Sequence, residues 1–454
     1  MKPVVVILGR PNVGKSTFFN LLVGAPKAIV EDKPGITRDL NYAEVQWEGT
    51  PFRIVDSGGY ETDREDAIAR EVREQIRFAV AEADLILFLM DGRADPTSVD
   101  HEIADLLRRQ ARPVLHVLNK VDNDRLEWNA GEYYALGMER VFPLSSKNRR
   151  GLRDLMDAVV AALPAAEPEE DRERPGPCRI AIVGRPNVGK SSLVNALYGE
   201  KRVIVTDEPG TTRDDIDVPF EYGGEPYVLI DTAGIRRKAK VRYAVETYGV
   251  VRSLRALDRC DVALVVLDAG QPVAEQDERI AGYAHERGRG VILVVNKWDL
   301  APRGAAAMRE FERNLRDRFT YLAYAPVLFV SATGRRGVEK LLPVVRRVRA
   351  NRGRRVATGA LNQWLEKALD GHSPPIHRGR RVKIYYMTQS HVNPPTFVGF
   401  VNYPEAIHFS YERYLSNRLR ELGDFEGTPL WLKFRKRSED RHVERKGGKS
   451  GRRP

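Results

Sequence analysis

Through the first 350 residues, short apolar runs alternate with stretches whose apolar positions recur at helical spacing. The runs at 4–8, 52–55, 85–90, 114–118 and 141–144 carry few polar side chains, so they read as strands buried on both faces. The series recurs at 180–183, 227–230, 262–267, 291–295 and 327–330. Segments 17–22, 67–82, 99–110, 151–163, 192–197 and 338–350 read as helices, the last kinked by Pro343 near its start. Strands and helices alternating in this way predict two α/β units. Each is a doubly wound, mostly parallel sheet with ligand loops at the carboxyl ends of its strands.

Beyond residue 350 the rhythm changes. A helix is expected at 357–369 with Thr358 as its cap, then strands at 381–388 and 396–401. A helix at 410–422 capped by Ser410 and a strand at 429–437 complete a small α-β-β-α-β domain of the α+β class. The predicted boundaries are therefore 1–163 and 178–350 for the α/β units, 351–437 for the third domain, and 438–454 for a disordered basic tail. Residues 164–177 hold four prolines and mostly acidic or small side chains, which predicts an extended linker.

The two units share more than a rhythm. Gly9-Arg10-Pro11-Asn12-Val13-Gly14-Lys15-Ser16 is repeated as Gly184-Arg185-Pro186-Asn187-Val188-Gly189-Lys190-Ser191, followed by Thr17 and Ser192. Each copy sits between a predicted strand and a predicted helix, the setting in which a glycine loop's N–H groups wrap phosphates. At matching distances come a Pro-Gly segment with Thr37 or Thr212, then Asp56-Ser57-Gly58-Gly59 or Asp231-Thr232-Ala233-Gly234. Asn119-Lys120-Val121-Asp122 pairs with Asn296-Lys297-Trp298-Asp299, and Ser145 with Ser331-Ala332. Motifs in one order, twice, indicate tandem copies of one domain.

The chemistry follows residue by residue. Lys15 and Lys190 are expected over the β- and γ-phosphates, with Ser16 and Ser191 on Mg²⁺. Thr37, Thr212, Asp56 and Asp231 complete the expected Mg²⁺ environment. Gly59 and Gly234 can bring a bare N–H to the γ-phosphate, an interaction that hydrolysis abolishes. Asp122 and Asp299 can accept both donors of guanine's N1/N2 edge, which adenine lacks. Helix capping is the alternative for these aspartates, made improbable by two equivalent placements. Directly after each Asp-x-x-Gly stand Tyr60 and Ile235, neither able to orient water as a glutamine would. Asn12 and Asn187 either brace their loops or ligate a monovalent cation.

Composition narrows the setting. The chain has 454 residues, 42% of them hydrophobic, and no apolar run long enough to span a bilayer. The first glycine loop begins within nine residues of the start, and Cys178 and Cys260 are the two cysteines. Neither a signal peptide nor a disulfide framework is expected, and the cysteines read as small buried hydrophobes in a cytoplasmic protein. Net charge is +11, all of it in the last 104 residues, while the first 350 balance to zero. A basic excess confined to one domain and its tail favours nucleic acid over an anionic membrane. The segment after Gly234 is basic and the one after Gly59 acidic, so the two predicted switches carry opposite charge.

On these motifs the chain resembles the Der (EngA) family of bacterial ribosome-assembly GTPases, in which two G domains precede a small basic domain. The resemblance implies GTP hydrolysis in both repeats, a KH-like fold for 351–437, and action on the large ribosomal subunit through ribosomal RNA, without DNA, by a monomer. It also implies K⁺ beside the phosphates, with Asn12 and Asn187 as ligands, where an arginine finger would otherwise act. No Gly-x-x-Gly occurs within 351–437, so the usual KH clamp on single-stranded RNA is missing and another surface must serve. A nucleotide-sensing RNA-binding protein with one mainly regulatory G domain is the competing reading. An ATP-dependent metabolic kinase is disfavoured, since nothing resembles a small-molecule substrate domain.

Overall fold

The structure is a computed structural model. It describes residues 2–23, 42–56, 83–110, 112–123, 140–164, 176–199, 203–205, 217–230, 245–301, 304–377 and 379–436, with positions 76, 79, 133, 137 and 138. Most of the helix expected at 67–82, most of the linker, both switch segments and the basic tail lie outside the described residues.

In the first repeat the described elements are β1 (Val4–Leu8), α1 (Lys15–Val23), β2 (Tyr42–Trp47), β3 (Thr50–Asp56), β4 (Leu85–Asp91), α2 (Ser98–Arg108), β5 (Val114–Asn119), β6 (Val141–Pro143) and α3 (Leu152–Ala162). The sheet order is β2-β3-β1-β4-β5-β6, parallel except for the β2–β3 hairpin. Every residue of β1 is buried, as a central strand covered on both faces requires. The chain order reverses around β1, so its carboxyl end opens into the crevice where the glycine loop lies.

The second repeat contains β7 (Cys178–Val183), α4 (Lys190–Tyr198), β8 (Val203–Val205), β9 (Val218–Tyr222), β10 (Glu225–Ile230), α5 (Val245–Arg259), β11 (Val262–Asp268), α6 (Glu275–Glu286), β12 (Gly290–Asn296), α7 (Ala305–Arg318), β13 (Val327–Phe329) and α8 (Leu341–Arg352). Its order β13-β12-β11-β7-β10-β9-β8 matches the first sheet strand for strand, with β8 added at the edge. Cys178 and Cys260 are free and buried. Among the described residues no helix is long and apolar enough to cross a membrane.

The third domain contains α9 (Thr358–Gly371), β14 (Ile376–His377), β15 (Arg380–Arg381), β16 (Ile384–His391), β17 (Thr396–Val401), α10 (Phe409–Leu419) and β18 (Trp431–Lys436). The three longer strands form the sheet β16-β17-β18, and the α-β-β-α-β order stands. Four local expectations are corrected. Thr358 is the first helical residue and Ala357 the cap, with no side-chain capping bond. His408 caps α10, its ring accepting from the Ser410 N–H, so Ser410 lies inside the helix. Pro343 falls in the first turn of α8, where a missing N–H costs nothing, and a 3-10 turn at Val338–Lys340 precedes it. Arg381 pairs with Ile376 in a separate hairpin, which moves the start of the long strand to Ile384.

The second repeat and the third domain are joined through backbone. Gly427 accepts from Val291 N–H at 2.7 Å and donates to the Tyr324 carbonyl at 2.8 Å. Asn351 donates to the Glu426 carbonyl at 3.0 Å, and the Asn393 N–H donates to the Arg352 carbonyl at 3.0 Å. The contact between the two repeats combines a shared apolar cluster with a largely buried polar one. Arg53 on β3 is 1% exposed and donates to Asp258 of α5, to Tyr283 of α6 and, at 3.4 Å, to Glu44 of β2. Arg287 pairs with Glu44, its Nε also donates to the Tyr283 hydroxyl at 2.9 Å, and that hydroxyl donates to Asp258 at 2.8 Å. Two guanidinium groups thus meet two carboxylates, the condition under which buried charge is tolerable.

Burial works to raise the Glu44 pKa, but Arg287, then Lys2 and Arg53, lower it to about 2. A carboxyl depressed in the folded state stabilises above its ordinary pKa, and that stabilisation is lost as pH falls from about 4.5 towards 2. Glu44→Gln is therefore expected to remove part of the acid dependence of stability in that window, read from urea midpoints against pH. Arg53→Ala takes a buried guanidinium from two partly buried carboxylates that keep Arg287, and is expected to cost up to about 3 kcal/mol in urea unfolding at neutral pH. A loss within experimental error of zero would show that the cluster does not hold the repeats together.

Candidate nucleotide sites

Each glycine loop starts at the carboxyl end of its central strand and feeds straight into a helix, α1 or α4. Gly14 and Gly189 have φ of 94° and 95°, and a Cβ there would meet the Asn119 or Asn296 amide nitrogen at 2.5 and 2.2 Å. Backbone conformation and close approach both require glycine. Asn12 and Asn187 also have positive φ, 63° and 64°. Asparagine tolerates that region better than most residues, which gives this position a backbone reason for its identity. Both are exposed. Among the described residues neither carboxamide has a hydrogen-bond partner, so side-chain bracing finds no support.

Lys15 donates to the Gly9 and Arg10 carbonyls at 2.8 and 3.0 Å, and Lys190 to Gly184 and Arg185 at 2.7 and 2.5 Å. Each ammonium is thus curled within its own loop, beside the N–H groups that would wrap a phosphate. The arginine side chains turn elsewhere. Arg10 pairs with Asp100 at 3.2 Å and Arg185 with Asp277 at 2.8 Å, both aspartates buried in the first turn of α2 or α6. Val13, Val188 and Val121 are buried in the core, so their polar contribution to a ligand is backbone. Pro11 has no polar side chain to add. Thr37, Ser57, Gly58, Gly59, Thr212, Asp231, Thr232, Ala233 and Gly234 lie outside the described residues.

Ser16 donates to Asp56 at 2.7 Å. A hydroxyl and a carboxylate at this separation, next to the phosphate loop, form a hard-oxygen donor set that fits Mg²⁺. Ser191 occupies the equivalent place, second in α4. The first residues of both helices, Lys15-Ser16-Thr17 and Lys190-Ser191-Ser192, present helix N-termini towards the loop.

The asparagine and the lysine of each Asn-Lys-x-Asp segment make different contacts. Asn119 ends β5 and donates to the Val13 carbonyl at 2.9 Å, while Ser146 donates to its oxygen through N–H and hydroxyl at 3.1 and 2.8 Å. Asn296 ends β12 and does the same with the Val188 carbonyl at 2.9 Å and Ala332 N–H at 3.0 Å. These asparagines are 1% exposed and tie three loops together. Lys120 donates to Asp91 and to the Asn12 carbonyl, both at 2.6 Å, and Lys297 donates to Asp268 at 2.6 Å. Asp91 and Asp268 were missed in the sequence, although they end equivalent strands and repeat comparison would have exposed them.

The aspartates at the motif ends differ between repeats. Asp122 accepts from Ser145 at 2.6 Å and from Arg93, and the Ser145 bond, then Arg93, holds its carboxyl below the usual range. Asp299 is exposed on a 3-10 turn beside Trp298, whose ring packs against Phe329 at 4.5 Å. Arg93 was likewise not anticipated, and Gly270 stands at its place in the second repeat. Ser331 turns back to cap its own loop, accepting from Gly334 N–H at 3.1 Å.

Asn296→Ala deletes both tethers of the second loop and leaves the Val188 carbonyl and Ala332 N–H unpaired. At about 1–3 kcal/mol for such a loss, guanine nucleotide affinity of that repeat is expected to fall roughly ten-fold or more. Titration with a fluorescent GDP analogue in a chain carrying Lys15→Ala reads the second site alone. Unchanged affinity would dismiss the tether.

Comparison with known proteins agrees with this geometry. The family described as 50S ribosome-binding GTPase matches residues 4–120 and again 179–297. The family described as KH-domain-like of EngA bacterial GTPase enzymes, C-terminal, matches 355–435. GTPase Der of Symbiobacterium thermophilum is 52% identical over 98% of this chain and 94% of its own length. GTPase Der of Syntrophotalea carbinolica is 50% identical over 96% of this chain and 99% of its own, and that of Geobacter sp. strain M21 is 51% identical over 97% and 99%. With two braced glycine loops, paired Asn-Lys-x-Asp segments and a KH-like third domain, this chain belongs to the GTPase Der family and is a GTPase.

Proposed function

We propose that this GTPase is a nucleotide-gated factor in assembly of the large ribosomal subunit, working in the cytoplasm as a monomer and contacting ribosomal RNA through its third domain. The observation that carries the reading is the union of two glycine loops, each tethered to an Asn-Lys-x-Asp segment, with one basic KH-like domain joined by backbone to the second repeat. A family described as 50S ribosome-binding supports the choice of subunit.

In each repeat the loop N–H groups and Lys15 or Lys190 bind the β- and γ-phosphates, the lysine exchanging loop carbonyls for phosphate oxygens. Ser16, Thr37 and Asp56, and Ser191, Thr212 and Asp231, hold Mg²⁺, which when bound neutralises phosphate charge. Gly59 and Gly234 report the γ-phosphate through their N–H groups. Asp122 and Asp299 select guanine, with Ser145 and the Ser331-Ala332 turn positioning the base loop. Asn12 and Asn187 hold K⁺ beside the phosphates. Their exposure and positive-φ backbone support this assignment, and Tyr60 and Ile235 leave the water-orienting role open.

Three outcomes are expected. Asp122→Asn and Asp299→Asn each move their own repeat away from guanine nucleotides; equal ATP and GTP binding by the unaltered chain would refute the base assignment. Turnover is faster in K⁺ than in Na⁺ at matched ionic strength, and equal rates would remove the cation from Asn12 and Asn187. Affinity for purified large subunits, and its slope against salt, differs between GTP and GDP, because the basic switch at 235–242 offers RNA a different positive surface in each state. Lys190→Ala abolishes that difference while basal affinity remains. Identical affinities and slopes in all nucleotide states would sink nucleotide gating.

A further inference from the structure

The third domain's sheet has one covered face and one partly open face. α9 and α10 pack over Ile384, Met387, Phe397, Val401 and Leu432, all buried. Alternate side chains leave on the opposite side, as a pleated strand requires. Strand register places Tyr386, Phe400 and Arg435 on one rung, and Thr388, Val398 and Lys433 on the next. Tyr386 is 38% exposed and lies on Phe400, with ring centroids 4.4 Å apart and planes 17° from parallel. Arg435 and Lys433 are exposed, and neither rung contains a carboxylate.

Positive charge continues past the end of the same strands. Arg380, Arg381 and Lys383 are all exposed. Asn402 ties this segment to the sheet, accepting from Lys383 N–H at 2.9 Å and donating to the Arg381 carbonyl at 3.1 Å. A flat aromatic pair set in a cationic rim suits a ligand that is itself flat and anionic at its margins. Bases stack on such rings on the open faces of other RNA-binding sheets, while lysine and arginine take the phosphates.

We propose that this face of the β16-β17-β18 sheet binds unpaired RNA, with a base stacked on the side of the Tyr386 ring that Phe400 leaves free and the adjoining phosphates held by Arg435 and Lys433. The proposal rests on the reading of the chain as a ribosomal RNA binder and supplies the surface that the missing Gly-x-x-Gly leaves unassigned. Stacking and phosphate pairing differ in salt dependence, which separates the two contributions. Removing one phosphate partner lowers the slope of log affinity against log salt by about 1, whereas removing the stacked ring leaves it unchanged.

The test uses the full chain, a short labelled single-stranded oligoribonucleotide and purified large ribosomal subunits. Tyr386→Ala is expected to weaken oligoribonucleotide binding roughly ten-fold at an unchanged salt slope, and to weaken subunit binding in parallel. Arg435→Ala is expected to weaken both and flatten the slope, and Tyr386→Trp to retain wild-type affinity. Basal GTP turnover, unchanged in all three, shows that the variants are folded. If Tyr386→Ala binds both probes as wild type does, or if it flattens the slope as Arg435→Ala does, the stacking surface is overturned while the ribosomal reading stands. If wild type itself binds neither probe, the ribosomal reading fails and the surface assignment falls with it.

Discussion

Asn119 and Asn296 are the last residues of β5 and β12, and from there each carboxamide donates to its phosphate loop and accepts from the loop that follows the next strand. Each glycine loop is held by a core valine, Val13 or Val188, and by an arginine on a buried aspartate, and the carbonyl of that valine still needs a partner. A buried amide anchored at a strand end supplies it, and couples the position of the glycine loop to that of Asp122 or Asp299 three residues on. The glycine at the point of contact follows from the same constraint, because any Cβ there would displace the amide. In both repeats the rest of the site is arranged around this bond.

Above that scale, the two repeats meet through charge rather than through apolar surface alone. Arg53 is three residues before Asp56 on one strand, and its partner Asp258 is near the end of α5, the helix that follows the second repeat's switch segment. The cluster therefore touches an element leading to each nucleotide site. Neutrality among Arg53, Arg287, Glu44 and Asp258 makes it tolerable, and removal of any one member leaves the others poorly compensated in a low dielectric.

Much of this was legible in the chain. Apolar runs such as 85–90 and 262–267 became central strands because continuous hydrophobicity has no other use in a doubly wound sheet. The repeated octapeptide and the Asn-Lys-x-Asp segments marked the family, and the structure brings the two motifs of each repeat into contact. Local capping was less legible: Thr358 and Ser410 are good capping residues, yet Ala357 holds the cap position of α9 without a side-chain bond and His408 caps α10. The tethering role of the asparagines, the Asp91–Lys120 and Asp268–Lys297 pairs, and the Arg53 cluster depend on residues far apart in sequence. Spacing carries no signal for the Arg53 cluster, whereas the Asp–Lys pairs recur at equivalent places in both repeats. Arg93 on Asp122 is of the same kind, a pairing that one repeat has and the other, with glycine at that place, cannot make.

The central claim is that both frameworks are working guanine nucleotide sites. Counting bound nucleotide by equilibrium titration of the full chain with GDP, against an excess of ADP, tests it most directly. Two GDP per chain are predicted, reduced to one by Lys15→Ala or by Lys190→Ala and insensitive to ADP. A stoichiometry of one in the unaltered chain, or displacement of GDP by ADP, would contradict it.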